Sequence, residues 1–525
     1  MARQLDPATP VFIVGAGAMG VGIAQVAAQA GHALKIYDVS AGALVQAQAK
    51  LAASFGKLVS SGKLSQELAS AGLGRIQTAS SLEAASGSGL VIEAIVENLA
   101  TKRELFQRLE PLVGEECVLA SNTSSLSITA LASGLRHPER AVGMHFFNPV
   151  THMKLVEIVS GLRSAPATAE SVFALARRWG KVPVHARSTP GFIVNRIARP
   201  FYAEALALLQ ERAVEPQVID LCFRSAGFRM GPCELMDLIG HDVNLAVTEA
   251  VFNATFGDKR FVPSPVQREL VAAGFLGRKS GRGFFDYGAE VAATAPPLPG
   301  PPLGSSALPA ASQIVLHGSG LLVERWVAAL TRAGRRFERR HESAWSGLVA
   351  DGAQLRLTDG RPAGLIAARD GVADLALFDL PLTAEMSPGR DSLAWAAARS
   401  ASDEWQRLAP QWLAAAGWTP ERIGDAAGLI VARTVAMLIN EAADALLQGV
   451  CDADAADLAM KLAVNYPAGP FEWLRAWHVC DVVRLLGHLD DLYRGERYRV
   501  SLELRQRAWL CESRGHTRDG QPALN

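Results

Sequence analysis

The chain lacks several features that would steer an interpretation by bulk properties. It has no charge excess: Lys plus Arg and Asp plus Glu both number 52 in 525 residues, so the formal net charge is zero. Nothing global therefore draws it to nucleic acid or to an acidic membrane surface. It is poor in cysteine, with six, at 117, 222, 233, 451, 480 and 511, and no pair has C-x-x-C spacing. That argues against a zinc or dithiol redox site and fits a reducing compartment. One uncharged stretch, Val11–Gly31, has the length of a membrane span. Five glycines (15, 17, 20, 22 and 31), with Gln25 and Gln29, interrupt it, and no basic leader precedes it. A buried strand entering a buried helix explains it better, and a cytoplasmic, membrane-free protein is expected.

What is present is ordinary globular composition, 49% hydrophobic and 20% charged, with length for three or four domains. From Val11 to His185, short β-rich runs alternate with Ala-rich helical stretches. The strands expected are Val11–Val14, Ala33–Tyr37, Leu90–Ala94, Cys117–Ser121, Ala141–Phe147 and Lys154–Ser160. Such alternation predicts an α/β, Rossmann-type doubly wound sheet. The last two strands are too close for a crossover helix, so an antiparallel edge hairpin is expected. An all-α domain follows, with helices over Phe192–Glu211, Pro216–Ser225 and Cys233–Phe256.

Residues 289–312 read as a Pro-rich linker. Beyond it Gly191-Phe-Ile-Val-Asn-Arg196 reappears as Gly428-Leu-Ile-Val-Ala-Arg433, Glu204 as Glu441, Asp220 as Asp457 and Gly231-Pro232 as Gly469-Pro470. The offset is constant from Gly191 to Asp220 and drifts by a single position at Gly231, which marks a duplicated helical domain. Expected boundaries are thus 8–188 for the sheet domain, 189–288 for the first helical domain, 313–420 for a degenerate α/β module opening at Ile314–Gly320, and 421–525 for the second helical copy.

Gly15-Ala-Gly17-Ala18-Met19-Gly20 ends a strand and opens a helix, the arrangement in which backbone amides and a helix N-terminus hold a pyrophosphate. Asp38, at the end of the next strand, is at the distance past Gly20 that suits a carboxylate for the ribose hydroxyls. No Lys or Arg follows it closely, which favours NAD over NADP. His145 and Glu157 fall side by side on the proposed hairpin, as a general base and its orienting carboxylate would. A satisfied core histidine explains the same residue without catalysis. Ser124, in Ser121-Asn-Thr-Ser-Ser125, lies beyond a strand end and serves equally well as a helix cap. Asn195 reads equally as a packing amide.

Together GAGAMG, VIEAIVEN (91–98), SNTSS (121–125), HFFNPV (145–150), KLVEIV (154–159), PGFIVNR (190–196) and GRKSGRGFFDY (277–287) resemble the 3-hydroxyacyl-CoA dehydrogenase family over about residues 10–287. The second helical copy is similar to that of its longer members. The resemblance implies NAD-dependent oxidation of an (S)-3-hydroxyacyl-CoA, with His145 as base, Glu157 its partner, and Ser124 and Asn195 at the substrate. It implies cofactor contacts at Asn148, Glu97, Lys102 and Lys279, and Ser54 near the CoA moiety. A homo-oligomer, dimer or trimer, is compatible with it. The acyl group stays open; a carboxylate-ended chain would want Arg196, Arg199 or Arg229. A non-catalytic NAD- or CoA-binding subunit is the alternative. Val323 in place of the third glycine and Ala432 in place of Asn195 point to one active site per chain.

Overall fold

The computed structural model describes residues 5–288, 308–382 and 391–513, which fall into two compact units. The first comprises residues up to Arg196 together with Gln448–Val464; the second holds Ile197–Leu447 and Asn465 onward. This grouping by contact cuts across the boundaries expected from sequence. A piece of the second helical copy, the helix Ala453–Ala463, packs on the sheet of the first unit.

That sheet has eight strands: β1 Val11–Val14, β2 Leu34–Tyr37, β3 Ile76–Ala79, β4 Leu90–Glu93, β5 Val118–Ser121, β6 Ala141–Phe146, β7 Leu155–Ser160 and β8 Val182–Arg187. Their order is β3-β2-β1-β4-β5-β6-β7-β8. Every pairing is parallel except β6 with β7. β1, β4, β5 and β6 are buried along their whole length, as strands covered on both faces must be, so they read as mostly apolar runs, broken only at Glu93, Ser121 and His145. The order reverses between β1 and β4, and the loops at the carboxyl ends there form the crevice where ligands of such sheets bind. β3 and β8 are additions to the expected set. Both are edge strands with partly exposed residues and weak apolar patterning.

In the second unit the expected helix Phe192–Glu211 is broken. Its body is Arg199–Gln210, with Pro200, which has no amide to donate, in the first turn. The expected Cys233–Phe256 helix is likewise two, Pro232–Ile239 and His241–Ala254, parted at Gly240, whose φ of 100° no helix accommodates. The expected linker 289–312 falls mainly outside the described residues; from Leu308 the chain already packs on a second core.

That core belongs to a seven-stranded sheet: β9 Ile314–His317, β10 Glu338–Arg340, β11 Gly347–Ala350, β12 Ala353–Leu357, β13 Leu375–Phe378, β14 Ser392–Ala397 and β15 Thr419–Arg422, in the order β10-β9-β11-β12-β13-β14-β15. It is mixed. β11 runs antiparallel to both neighbours, so a tight hairpin stands where a doubly wound sheet would have a crossover helix. Val323, in the place of the third glycine, is fully buried in this core with Trp326 and Leu316. The helix Val431–Leu447 is buried on nearly all sides, and its polar residues Arg433, Thr434, Asn440, Glu441 and Asp444 are buried with it.

Candidate active site

Four chain segments meet at the carboxyl end of the first sheet. At the first, Gly15 turns the chain out of β1 with φ of 109°, and a Cβ there would lie 2.4 Å from the Ala94 carbonyl oxygen. A Cβ on Gly20 would lie 1.8 Å from the Gly15 oxygen, so helix and turn touch backbone to backbone. Above Gly17 there is open space within 4 Å, and the helix Ala18–Gln29 starts there without a side-chain cap. Ala18 is exposed and Met19 half-buried beside it. Asp38 is fixed at the end of β2 by accepting the Ala16 amide at 2.8 Å and the Ser40 amide at 2.9 Å. Exposed amides at a helix N-terminus, with a carboxylate at the next strand end, match the pyrophosphate and ribose of NAD.

The second segment follows β4. Lys102 is almost completely buried, its ammonium 2.7 Å from Glu93 and 3.1 Å from Glu97. Glu93 also accepts the Ser121 hydroxyl at 2.6 Å and the Ile95 amide at 2.7 Å. Glu97 in turn gathers the third segment: the Thr123 hydroxyl at 2.6 Å, the Ser124 amide at 3.0 Å and the Ser125 hydroxyl at 3.0 Å. Burial pushes the Glu97 carboxyl up, but the Lys102 charge and the hydrogen bonds from Thr123, Lys102 and Ser125 outweigh it and hold the pKa below its ordinary 4.5. Lys102 therefore acts from beneath the loop, through Glu97. Sequence reasoning missed Glu93; its signal is the lone acid closing the apolar run Leu90-Val-Ile-Glu93.

The β6–β7 hairpin is the fourth segment. His145 and Glu157 are direct cross-strand neighbours, and Glu157 Oε2 lies 2.5 Å from His145 Nδ1. A carboxylate accepting there keeps the proton on Nδ1 and leaves the Nε2 lone pair free. The ring is 5% exposed and flanked by Phe147, at 4.4 Å between centroids, and Phe192, at 5.9 Å. The other oxygen of Glu157 accepts the amides of Ile193 and Val194, both at 3.0 Å. Those amides immediately precede Asn195, whose side-chain amide donates to the Ser124 carbonyl at 3.3 Å. Asn122 Oδ1 accepts the Phe146 amide at 2.9 Å and ties the serine-rich loop to the histidine strand. One connected path thus runs from His145 through Glu157, Asn195, Ser124 and Glu97 to Lys102.

The other sequence candidates are placed apart from that path. Asn148 is exposed in the turn after His145. Ser54 lies on the helix Ala41–Ser60 and donates to Gln25 at 2.8 Å. Lys279 belongs to the second compact unit, paired with Asp242 at 2.5 Å. Arg196 is buried and donates to Gln448 at 2.8 Å, Arg199 is buried in the second unit, and Arg229 is exposed.

Comparison with known proteins agrees with this geometry. A model of the 3-hydroxyacyl-CoA dehydrogenase NAD-binding domain matches residues 10–189, and that of the family's C-terminal domain matches residues 191–287 and again 428–513. A 3-hydroxybutyryl-CoA dehydrogenase reduced Rossmann-fold domain matches residues 355–426. The chain belongs to the 3-hydroxyacyl-CoA dehydrogenase family, and is an NAD-dependent dehydrogenase of that class. It is 41% identical over 501 residues to the 3-hydroxyadipyl-CoA dehydrogenase of Escherichia coli strain K12, covering 95% of this chain and 97% of that one. A crystal structure described as 3-hydroxybutyryl-CoA dehydrogenase from Escherichia coli K12 superposes with a TM-score of 0.86 at 40% identity, covering 97% of this chain and 99% of that one. The probable 3-hydroxybutyryl-CoA dehydrogenase of Bacillus subtilis strain 168 is 41% identical over 278 residues, 53% of this chain and 96% of its own. Among the described residues, no helix is long and apolar enough to cross a membrane.

Proposed function

We propose that the chain oxidises (S)-3-hydroxyadipyl-CoA to its 3-oxo ester in aerobic phenylacetate breakdown, as a cytoplasmic enzyme. The observation that carries the chemistry is the buried His145–Glu157 pair with Asn195 and Ser124 on the same hydrogen-bonded path. The Gly15–Gly20 turn and Asp38 would hold NAD, which when bound would supply the acceptor for the hydride that leaves C3. His145 Nε2 takes the proton of the C3 hydroxyl, and Glu157 stabilises the resulting imidazolium through Nδ1. Ser124 donates to the substrate oxygen while Asn195 holds the thioester region in line, which supplies the orientation that hydride transfer needs. Asn148 would meet the nicotinamide. Glu97, held by Lys102, fixes the loop that carries Ser124, and Ser54 would meet the CoA moiety.

The adipyl assignment is supported by the full-length resemblance to the Escherichia coli enzyme of that name. The equally long crystal structure carries the butyryl name, which favours a short-chain dehydrogenase as the second reading. NADH formation at 340 nm with each ester separates them. A kcat/KM at least about tenfold higher for the adipyl ester, about 1.4 kcal/mol of discrimination, supports the first; equal or better use of the butyryl ester supports the second.

A further inference from the structure

The duplicated helical domain allows each residue to be compared with its own counterpart. Arg260 and Arg497 stand at the same sequence offset as Glu204 and Glu441. Each arginine opens a short segment (Arg260-Phe-Val-Pro-Ser264 and Arg497-Tyr-Arg-Val-Ser501) that leads into the last described helix of its copy. Each reaches the glutamate on the long helix of the other copy. Arg260 pairs with Glu441 at 3.0 Å, and Arg497 pairs with Glu204 at 2.9 Å. The two bridges are therefore related by an internal two-fold.

The two ends of that arrangement differ in charge. Arg260 also bonds Asp444, but the matching position beside Arg497 is Ala207. Arg199 stands where the second copy has Ala436. Relative to its own counterpart, the face of the helix Arg199–Gln210 has therefore gained one cation and lost one anion.

It is at this face that a cavity opens, about 170 Å³ in volume, lined by Arg199, Arg260 and Arg497 together with Gln210, Thr248 and Ser264. Among the described residues no Asp or Glu lines it. Arg199 and Arg260 are 6% and 2% exposed, and Arg260 Nε has no hydrogen-bond partner there. Arg199 donates to the Thr248 hydroxyl at 3.2 Å and stacks over the Tyr202 ring at 4.8 Å. Burial pushes its pKa down, opposed by the Tyr202 and Tyr466 phenols. Much of the wall is apolar, and Arg260 and Arg497 already meet the carboxylates of Glu441, Asp444 and Glu204, so the group suited to carboxylate or phosphate oxygens is the desolvated guanidinium of Arg199. The volume is well below that of cofactor-sized pockets, roughly 300–1,000 Å³.

We propose that this cavity binds one small oxyanion, a phosphate or a short carboxylate, with Arg199 as principal ligand and Arg260 and Arg497 at its edge. The proposal is independent of the acyl group oxidised.

The test is isothermal titration calorimetry on the full chain with inorganic phosphate and, separately, with succinate, against chloride at equal ionic strength. Saturable binding of one anion per chain is expected. Heat from phosphate alone assigns the phosphate group, and heat from succinate alone assigns the carboxylate. The decisive variant is Ala207→Asp, which installs the carboxylate that the second copy already carries as Asp444. It is expected to weaken binding at least tenfold while the melting transition stays cooperative. Arg199→Gln, the second variant, is expected to do the same without adding charge. Binding no tighter than chloride, or affinity unchanged in both variants, would overturn the proposal.

Discussion

Asp379 holds in the second sheet the position that His145 holds in the first. Its amide donates to the Ala394 carbonyl at 2.9 Å, and Ala394 pairs with Glu421 as Glu157 pairs with Val184. Glu421 follows Val184 by the same offset as Glu441 follows Glu204, so Ala394 replaces Glu157 and Asp379 replaces His145. Asp379 nevertheless accepts the amides of Ile430 and Val431, at 2.9 Å and 2.7 Å, the counterparts of the two that Glu157 accepts. The second half lacks the histidine and its carboxylate partner but keeps the anchor for its helix. In the first half Glu157 both accepts from His145 and anchors the Ile193 and Val194 amides.

One consequence concerns stoichiometry. With Asp379, Ala394 and Ala432 in place of His145, Glu157 and Asn195, and Val323 where Gly20 permits close packing, calorimetric titration should give one NAD per chain. A value of two would contradict a single catalytic site.

The two oxygens of Glu157 should separate by mutation. Glu157→Gln keeps an acceptor for Ile193 and Val194 but removes the charge opposite His145, so kcat should fall at least about tenfold with little loss of stability. Glu157→Ala also leaves two buried amides unsatisfied, at about 1–3 kcal/mol each, so its melting temperature should fall clearly below that of Glu157→Gln. Equal melting temperatures would remove the anchoring role.

At the cofactor turn, Gly20→Ala forces a methyl to within 1.8 Å of the Gly15 carbonyl unless the turn moves. Overpacking of this kind costs about 1–3 kcal/mol. NAD affinity should fall about tenfold or more, measured by quenching of tryptophan fluorescence, and unchanged affinity would argue that the turn does not hold the pyrophosphate.

Much of this is legible in the sequence because the decisive residues sit where its signals are strong. β1, β4 and β5 are apolar but for Glu93 and Ser121 at the ends of the last two, and the twelve-residue spacing of His145 and Glu157 across a short turn fits their pairing. β3 and β8 escape because edge strands bury too little to impose a pattern. The break at Gly240 escapes because a glycine inside a helical pattern is often tolerated, and the sequence does not show that its φ is 100° or that a Cβ there would lie 2.7 Å from the Lys279 ammonium. Glu93 and the burial of Lys102 escape because a lone acid closing an apolar run does not by itself reveal that two acids and one lysine share one site.

Glu97 gives a pH signature. Its folded pKa is depressed below the ordinary 4.5, so its ionised form stabilises the fold above that value, and the contribution is lost as pH falls through the folded pKa. Wild type should melt above Glu97→Gln by a constant margin between roughly pH 5 and 7, and the margin should close as pH falls below about 4.5. A margin that widens on acidification would mean that the carboxyl prefers its protonated form.

The most direct measurement is turnover of His145→Ala with NAD and 3-hydroxyacyl-CoA, alongside its NAD affinity and melting curve. A folded variant that binds NAD normally and loses at least about 10²-fold in kcat is the predicted result. Turnover retained in such a folded, NAD-binding variant would take the proton transfer away from His145 and contradict the account.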